Sequence, residues 1–360
     1  MKSSKTVAAL ILIFLMPVAG FVSCKSKPTV VPAMVKASAP QPPDGYKPAE
    51  AKPIELPGEN CCGQMVGDKP QIVFLSRKRP RHSHFQTYVF DLEAKKERRL
   101  SFHDGDDQGP QVDPTTGHFF YASTTDALKE SPRFLQEALG KPTESKLEVG
   151  RRPLWSGDNF DLYRALRDGT GIQRLTQSPG FDGELRLHPN GQFLIYTAVK
   201  NGQSLLVRID VHGRDTRVLT RVKQSESEAS FSPSGKEFAW VRYSVDYTES
   251  QIWVANLDGK KARAITSGKG LRWSPSWSPD GQQILFSSNQ ADPENFELYS
   301  VQKEGTCLRR LTYALGQDLL PVWFKNQQQL LFSSDRSGVY QLYAQDFTPP
   351  PCPTPSSEVD

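Results

Sequence analysis

Nine residues in this chain recur in a pattern that could hold a cation or a basic segment. Asp104, Asp106 and Asp107, then Asp182 and Glu184, then Glu226 and Glu228, then Asp318, each stand just before or at the start of a short extended segment. Arg272 takes the corresponding place in one further copy. Carboxylates offered by several loops are hard oxygen ligands, so calcium is a candidate cofactor, and a ring of them would also attract a basic peptide. No single loop has the spacing of a known calcium motif, so structural or solvated acids are the plainer reading. His82-Ser83-His84 puts two imidazoles on one side of an extended segment, a geometry that can bind a metal. No third ligand stands nearby. With Arg77, Lys78, Arg79 and Arg81 beside it, the stretch reads as a solvated basic loop. Nucleophilic catalysis lacks its usual mark, because there is no Gly-x-Ser-x-Gly elbow.

The elements that must position these residues repeat along the chain. Pro275-Ser-Trp-Ser-Pro-Asp-Gly281 is strand, turn, strand: Pro279 presets φ, Asp280 tolerates the tight bend and Gly281 supplies the positive φ. The same punctuation occurs at Ser232-Pro-Ser-Gly235, at His188-Pro-Asn-Gly191 and more loosely at Asp113–Gly117, with a degenerate copy at Phe324–Gln327. Pro189, Pro233 and Pro279 are separated by 44 and 46 residues, while Pro114 and Pro189 are 75 apart. Each unit continues with an apolar strand, an aromatic strand such as Phe296-Glu-Leu-Tyr299, a Gly turn and a short closing strand such as Arg310-Leu-Thr312. Six such units predict an all-β, six-bladed β-propeller of four-stranded antiparallel blades, with one insertion at about 126–157 in the second.

The pattern Arg-Leu-Thr … Pro-x-Trp-Ser-Pro-Asp-Gly … Leu-Tyr, in phase over roughly residues 66–347, resembles the propeller repeats of TolB, the periplasmic component of the Tol-Pal system. Similar repeats occur in the propeller domains of some serine peptidases. TolB also has a separate N-terminal α/β domain, for which this chain is expected to have no room. The resemblance implies a non-catalytic scaffold for binding other envelope proteins. The alternative is a propeller that binds or cleaves an oligosaccharide or peptide at its central channel.

Residues 1–23 read as a signal peptide: Lys2 and Lys5 precede an apolar run broken by Pro17. Phe21-Val-Ser-Cys24 resembles a lipobox, so Cys24 is the expected lipidation site and the chain is expected at the cell envelope, facing the periplasm. Lys25 stands where an inner-membrane retention Asp would, which favours the outer membrane. Residues 24–57, rich in Pro, Ala and Lys, read as a tether to a propeller at 58–347, and 348–360 as a Pro-rich disordered tail. The net charge of +4 falls to +2 without Lys2 and Lys5, no basis for nucleic-acid binding. The ring is expected to be monomeric. In an oxidising compartment Cys352 could pair with Cys61 or Cys62 and staple the chain ends, with Cys307 lacking an evident partner. Closure of the ring is expected to borrow a strand from residues 52–66.

Strand order places the loop between second and third strands on the same face as the links between units. The insertion therefore shares a face with the acidic links. Ser131-Pro132 followed by Phe134, Leu135, Ala138 and Leu139 reads as an N-capped short helix stopped by Gly140. Lys129, Arg133, Phe134, Leu135 and Trp155 are its candidate partner-binding residues.

Overall fold

The computed structural model describes residues 41–126, 159–324 and 328–353. The chain opens with a two-residue strand, β1 (Lys52–Pro53), and then winds six meanders. Blade 1 is β2 (Glu59–Met65), β3 (Gln71–Arg77), β4 (Gln86–Asp91) and β5 (Lys96–Arg99). Blade 2 is β6 (Asp107–Val112), β7 (Phe119–Ser123), β8 (Asp161–Ala165) and β9 (Gln173–Arg174). Blade 3 is β10 (Asp182–Leu187), β11 (Phe193–Lys200), β12 (Gln203–Asp210) and β13 (Arg217–Val218). Blade 4 is β14 (Glu226–Phe231), β15 (Glu237–Tyr243), β16 (Ser250–Asn256) and β17 (Arg263–Ala264). Blade 5 is β18 (Arg272–Trp277), β19 (Gln283–Ser288), β20 (Glu297–Gln302) and β21 (Arg309–Arg310). Blade 6 is β22 (Asp318–Phe324), β23 (Gln329–Ser334) and β24 (Gln341–Asp346), completed by β1 in the order β1-β24-β23-β22.

The ring thus closes with a strand from before its own first blade. Lys52 pairs with Ala344 and Pro53 with Tyr343, and the Ile54 amide donates to the Leu342 carbonyl at 2.8 Å. Proline is tolerated there because the edge needs no further donor on its outer side. The reading of 24–57 as tether and of 58 as the propeller's start is corrected by this: residues 52–54 belong to the sixth blade. The insertion expected at about 126–157, with its short helix from Ser131 to Gly140, lies outside the described residues apart from Asp126.

The repeated residues have repeated jobs. In the Ser-Pro-Asp-Gly turn the Gly281 amide donates to the Ser278 carbonyl at 2.8 Å, and Gly281 has φ 69°. Asp280 accepts from the Gln282 amide at 2.9 Å, which fixes the bend. The closing Arg-Leu-Thr strand serves the blade's third strand. Thr176, Thr266 and Thr312 accept from the amides of Leu162, Ile252 and Leu298, each at 2.9 Å. Arg174 pairs with Asp161 and Arg310 with Glu297, acids that follow Phe160 and Phe296 at the start of the third strand. Blades then pack through their apolar second strands: Ile72, Leu194, Ala239, Leu285 and Leu331 are wholly buried. The Gly turns touch the preceding blade. A Cβ at Gly169 or Gly213 would come within 2.3 or 2.8 Å of the carbonyl of Leu100 or Leu175, so glycine is required for close approach as well as for φ.

The cysteines pair differently from the expectation. Cys307 is bonded to Cys352, with Cα atoms 4.9 Å apart, and Cys61 and Cys62 are thiols. After β24 the chain does not return to the channel, where Cys61 and Cys62 sit on an inner strand. It runs outward: Phe347 packs edge-on against Trp323 and Arg309 donates to the Pro350 carbonyl. This brings Cys352 to the outer turn of blade 5 that carries Cys307. The part of the tail up to Cys352 is therefore held, not free. Closing a span of 45 residues restricts the unfolded chain appreciably. Cys307→Ser is expected to lower unfolding free energy by about 2–4 kcal/mol in guanidinium titrations under non-reducing conditions, while leaving the far-ultraviolet circular dichroism of the folded protein unchanged.

Candidate functional site

The channel down the axis is built by the six inner strands, each of which carries the same irregularity. Pairing with the second strand shifts register between Cys61 and Gln64, Gln108 and Gln111, Gly183 and Arg186, Ser227 and Ser230, Trp273 and Ser276, and Leu319 and Val322. One residue in each bulge has left-handed φ: Cys62 (62°), Gly109 (53°), Glu184 (52°), Glu228 (55°), Ser274 (57°) and Leu320 (57°). Five of these are not glycine, so the conformation is strained and must be held by its surroundings.

What holds it is the preceding blade. The Glu228 amide donates to Glu184 Oε2 at 2.9 Å, and the Ser274 amide and hydroxyl both donate to Glu228 Oε2 at 2.7 Å. Ser287 Oγ accepts from the Leu320 amide at 3.2 Å, and Ser333 Oγ accepts from the Cys62 amide at 3.0 Å, which carries the stitching across the closure. Thr197, Ser287 and Ser333 occupy equivalent places on the second strands, opposite Gly183, Trp273 and Leu319.

Toward the Ser-Pro-Asp-Gly turns the channel widens into a cavity of about 220 Å³. Each blade contributes the first residue after its bulge: Gln64, Gln111, Arg186, Ser230, Ser276 and Val322. Arg186 donates from Nη1 to the Leu185 carbonyl at 3.0 Å and lies near Glu184, Glu228 and Cys62. Burial lowers its pKa while Glu228 and Glu184 oppose the change; a guanidinium stays protonated regardless. Burial raises Glu228, with the two Ser274 bonds and Arg186 pulling it back.

The acids expected to ring the mouth mostly do something else. Asp107, Asp182, Glu226 and Asp318 open the inner strands as expected, but all are buried and engaged. Asp107 accepts from the amide and hydroxyl of Thr87 and from Ser101 of the preceding blade, with His103 Nε2 at 3.0 Å. Asp182 accepts from Ser178 Oγ, Glu226 from Trp240 Nε1 and Arg242, and Asp318 binds both carboxylate oxygens to Arg336 at 2.7 Å. Arg272 is 1% exposed and spends its guanidinium on the carbonyls of Ser250, Ser267, Gly268 and Gly270. Asp106 accepts from the Phe85 amide, and Asp104 is exposed. None of the nine lines the cavity, although Glu184 and Glu228 lie near Arg186, which does, and the expectation of an acidic mouth is corrected accordingly. Among the described residues no three His, Cys, Asp or Glu side chains converge as a metal site, so the calcium reading finds no ligand set there. His82 bonds Tyr88 OH through Nε2 at 2.8 Å and the His84 carbonyl through Nδ1 at 2.9 Å, and stacks on the Tyr88 ring, so both of its ring nitrogens are engaged. Lys129, Arg133, Phe134, Leu135, Trp155 and Cys24 lie outside the described residues. Arg186 was missed, because the bulge between Gly183 and Arg186 breaks the alternation that would have assigned it a face.

A family model described as the TolB beta propeller domain (PD40) matches residues 205–350. A putative TolB from Agrobacterium tumefaciens superposes with a TM-score of 0.55 at 14% identity, over 81% of this chain and 92% of that one. TolB from Acinetobacter baumannii also gives 0.55 at 14% identity, over 78% of this chain and 64% of that one. An oligogalacturonate lyase from Vibrio parahaemolyticus gives 0.54 at 12% identity, over 81% and 78%. A comparison with curated proteins finds no match. The chain is a six-bladed propeller, similar in fold to these TolB structures, and its residues 205–350 match the TolB propeller model.

Burial pushes Asp182 up to about 6 from an ordinary 3.8, with Asp161 adding to the rise and Ser178 and Thr176 opposing it. A carboxyl raised on folding contributes stability that is complete below its unfolded pKa and lost as pH climbs through the folded one. Between pH 3.8 and about 6, the wild type is therefore expected to lose stability relative to Asp182→Asn, by about 1–3 kcal/mol. Paired urea titrations across that range, with parallel curves, would refute the shift.

Proposed function

We propose that this protein is a periplasm-facing, membrane-anchored scaffold that binds other envelope proteins, with Cys24 as its lipidated N-terminus and a monomeric ring as its working form. The observation that carries the reading is the use of the acids. Carboxylates that could act as general acid and base, or bind metal, are instead committed to amides, hydroxyls and arginines of the ring wall. Such a wall is rigid and suits display of loops more than chemistry in its interior. The recognition surface is the face of the inter-blade links, next to which Asp126 and Asn159 stand near the ends of β7 and β8. Lys129, Arg133, Phe134, Leu135 and Trp155 are its contact candidates. The likeness to TolB propellers supports an envelope location, and Lys25 after the Cys favours the outer membrane.

A second reading, a channel that binds or cleaves an oligosaccharide, has support from Arg186, Gln64 and Gln111 in the cavity and from the lyase of similar fold. The two separate by experiment. Envelope crosslinking followed by capture is expected to recover a protein partner with the wild type and to lose it when residues 128–150 are deleted. Cys24→Ser is expected to leave the membrane pellet for the soluble fraction. Incubation with oligogalacturonate is expected to release no unsaturated uronate; its release, abolished by Arg186→Ala, would establish the second reading and displace the first.

A further inference from the structure

Away from the channel, the outer rim where blades 1 and 2 meet concentrates positive charge beside exposed apolar side chains. β5 is four residues long, where the outermost strands of the other blades have two. It reads Lys96-Glu97-Arg98-Arg99, and Lys95 precedes it. Glu97 is taken by both Nη atoms of Arg79, at 2.8 and 3.1 Å. Among the described residues, none of Lys95, Lys96, Arg98 or Arg99 stands in an ion pair, whereas Arg174 and Arg310 on other edges are paired with Asp161 and Glu297. Arginine on an edge strand guards against edge-to-edge association, and that function would be met by one or two such residues.

The neighbouring turn of blade 2 adds to the charge. Arg98 Nη1 donates to the Arg167 carbonyl at 2.8 Å, and the stem of Arg167 lies over Gly117, where a Cβ would stand 3.2 Å from Arg167 Cδ. The two guanidiniums flank an open pocket of about 480 Å³ that also includes His118, Leu166 and Asp168. Asp168 accepts from the Thr170 amide and hydroxyl at 2.9 and 2.7 Å, which shapes the turn, and its carboxylate offsets part of the Arg98 charge. Around this pocket stand Phe102 (64% exposed), Ile172 (51%) and Leu166 (44%), half of the six large exposed apolar residues among those described. They are contiguous through the turn: a Cβ at Gly169 would lie 3.3 Å from the Phe102 ring, and one at Gly171 2.9 Å from Leu166.

Arginines set among exposed apolar side chains, on an outward rim instead of a groove, match an anionic bilayer better than an acidic peptide. Phosphate headgroups meet the guanidiniums, and the apolar side chains enter the boundary below them. We propose that the rim of blades 1 and 2 docks on an anionic lipid surface, with Arg98 and Arg167 taking headgroup phosphate and Phe102, Leu166 and Ile172 inserted beside them. The surface acts independently of the lipid anchor and of whatever the channel binds. It would set the ring edge-on to the membrane.

The test uses the full chain carrying Cys24→Ser, so that acylation does not contribute, and sedimentation with phosphatidylglycerol–phosphatidylcholine vesicles. Binding is expected to the mixed vesicles and not to phosphatidylcholine alone, and to weaken with salt. Arg98→Gln/Arg167→Gln is expected to reduce partitioning about tenfold or more, at about fivefold per cation. Phe102→Ser/Leu166→Ser is expected to reduce it about as much, and that loss persists at high salt. Arg217→Gln/Arg263→Gln, on the edges of blades 3 and 4, is expected to leave it unchanged. Equal loss in that control would mean diffuse electrostatics and overturn the proposal. So would binding unaffected by both rim doubles while their melting temperatures match the parent, full displacement by millimolar inorganic phosphate, or pull-down of the chain by an acidic polypeptide in place of vesicles.

Discussion

The structure depends on one backbone constraint: a left-handed residue in the middle of every inner strand, whose amide leaves its own sheet ladder. An amide in that position is too far inside the wall to be left unpaired. For Glu228, Ser274, Leu320 and Cys62 the acceptor is a side chain of the blade before, either a glutamate from the previous bulge or a hydroxyl from the previous second strand. A blade is therefore incomplete without its neighbour. The stitch from Ser333 to Cys62 and the pairing of β1 with β24 extend this dependence across the join, so that the ring has no free end on the axis.

That arrangement explains why so many charged groups sit inside the wall of the ring. Asp107 and Asp161 are accepted into the wall because hydroxyls, amides and arginines surround them. Burial and the nearby Asp318 still raise Glu297 to about 7 despite Arg310, so holding that charge in the wall is costly. Charge not committed to hydroxyls or amides of the wall lies elsewhere, in Arg186 at the cavity and on the outer edge of the first blades.

Much of this was legible in the residues. Turn chemistry at Ser278–Gly281 and its copies marked the phase, and with it strand order, blade number and the need for a borrowed closing strand. The direction of Asp107, Asp182, Glu226 and Asp318 was not legible, because a bulge two residues later breaks the alternation from which a face is inferred. Position at the start of an inner strand was right, and the side it faced was wrong. The disulfide failed for a related reason. Proximity of chain ends was correct for β1 and β24, yet the last residues turn outward along Trp323 and Arg309, a path set by tertiary packing at Phe347 and not by any local pattern.

The most direct measurement is the stability of Glu228→Ala and Glu228→Gln at neutral pH, read together with hydrogen exchange at the Ser274 amide. If neighbouring blades are held by side-chain acceptors for the bulge amides, alanine costs about 1–3 kcal/mol and exposes that amide to exchange. Glutamine keeps an acceptor oxygen without the buried charge, and its stability stays within about 0.5 kcal/mol of the wild type or rises above it. An alanine variant as stable as the wild type, with Ser274 equally protected, would contradict the account.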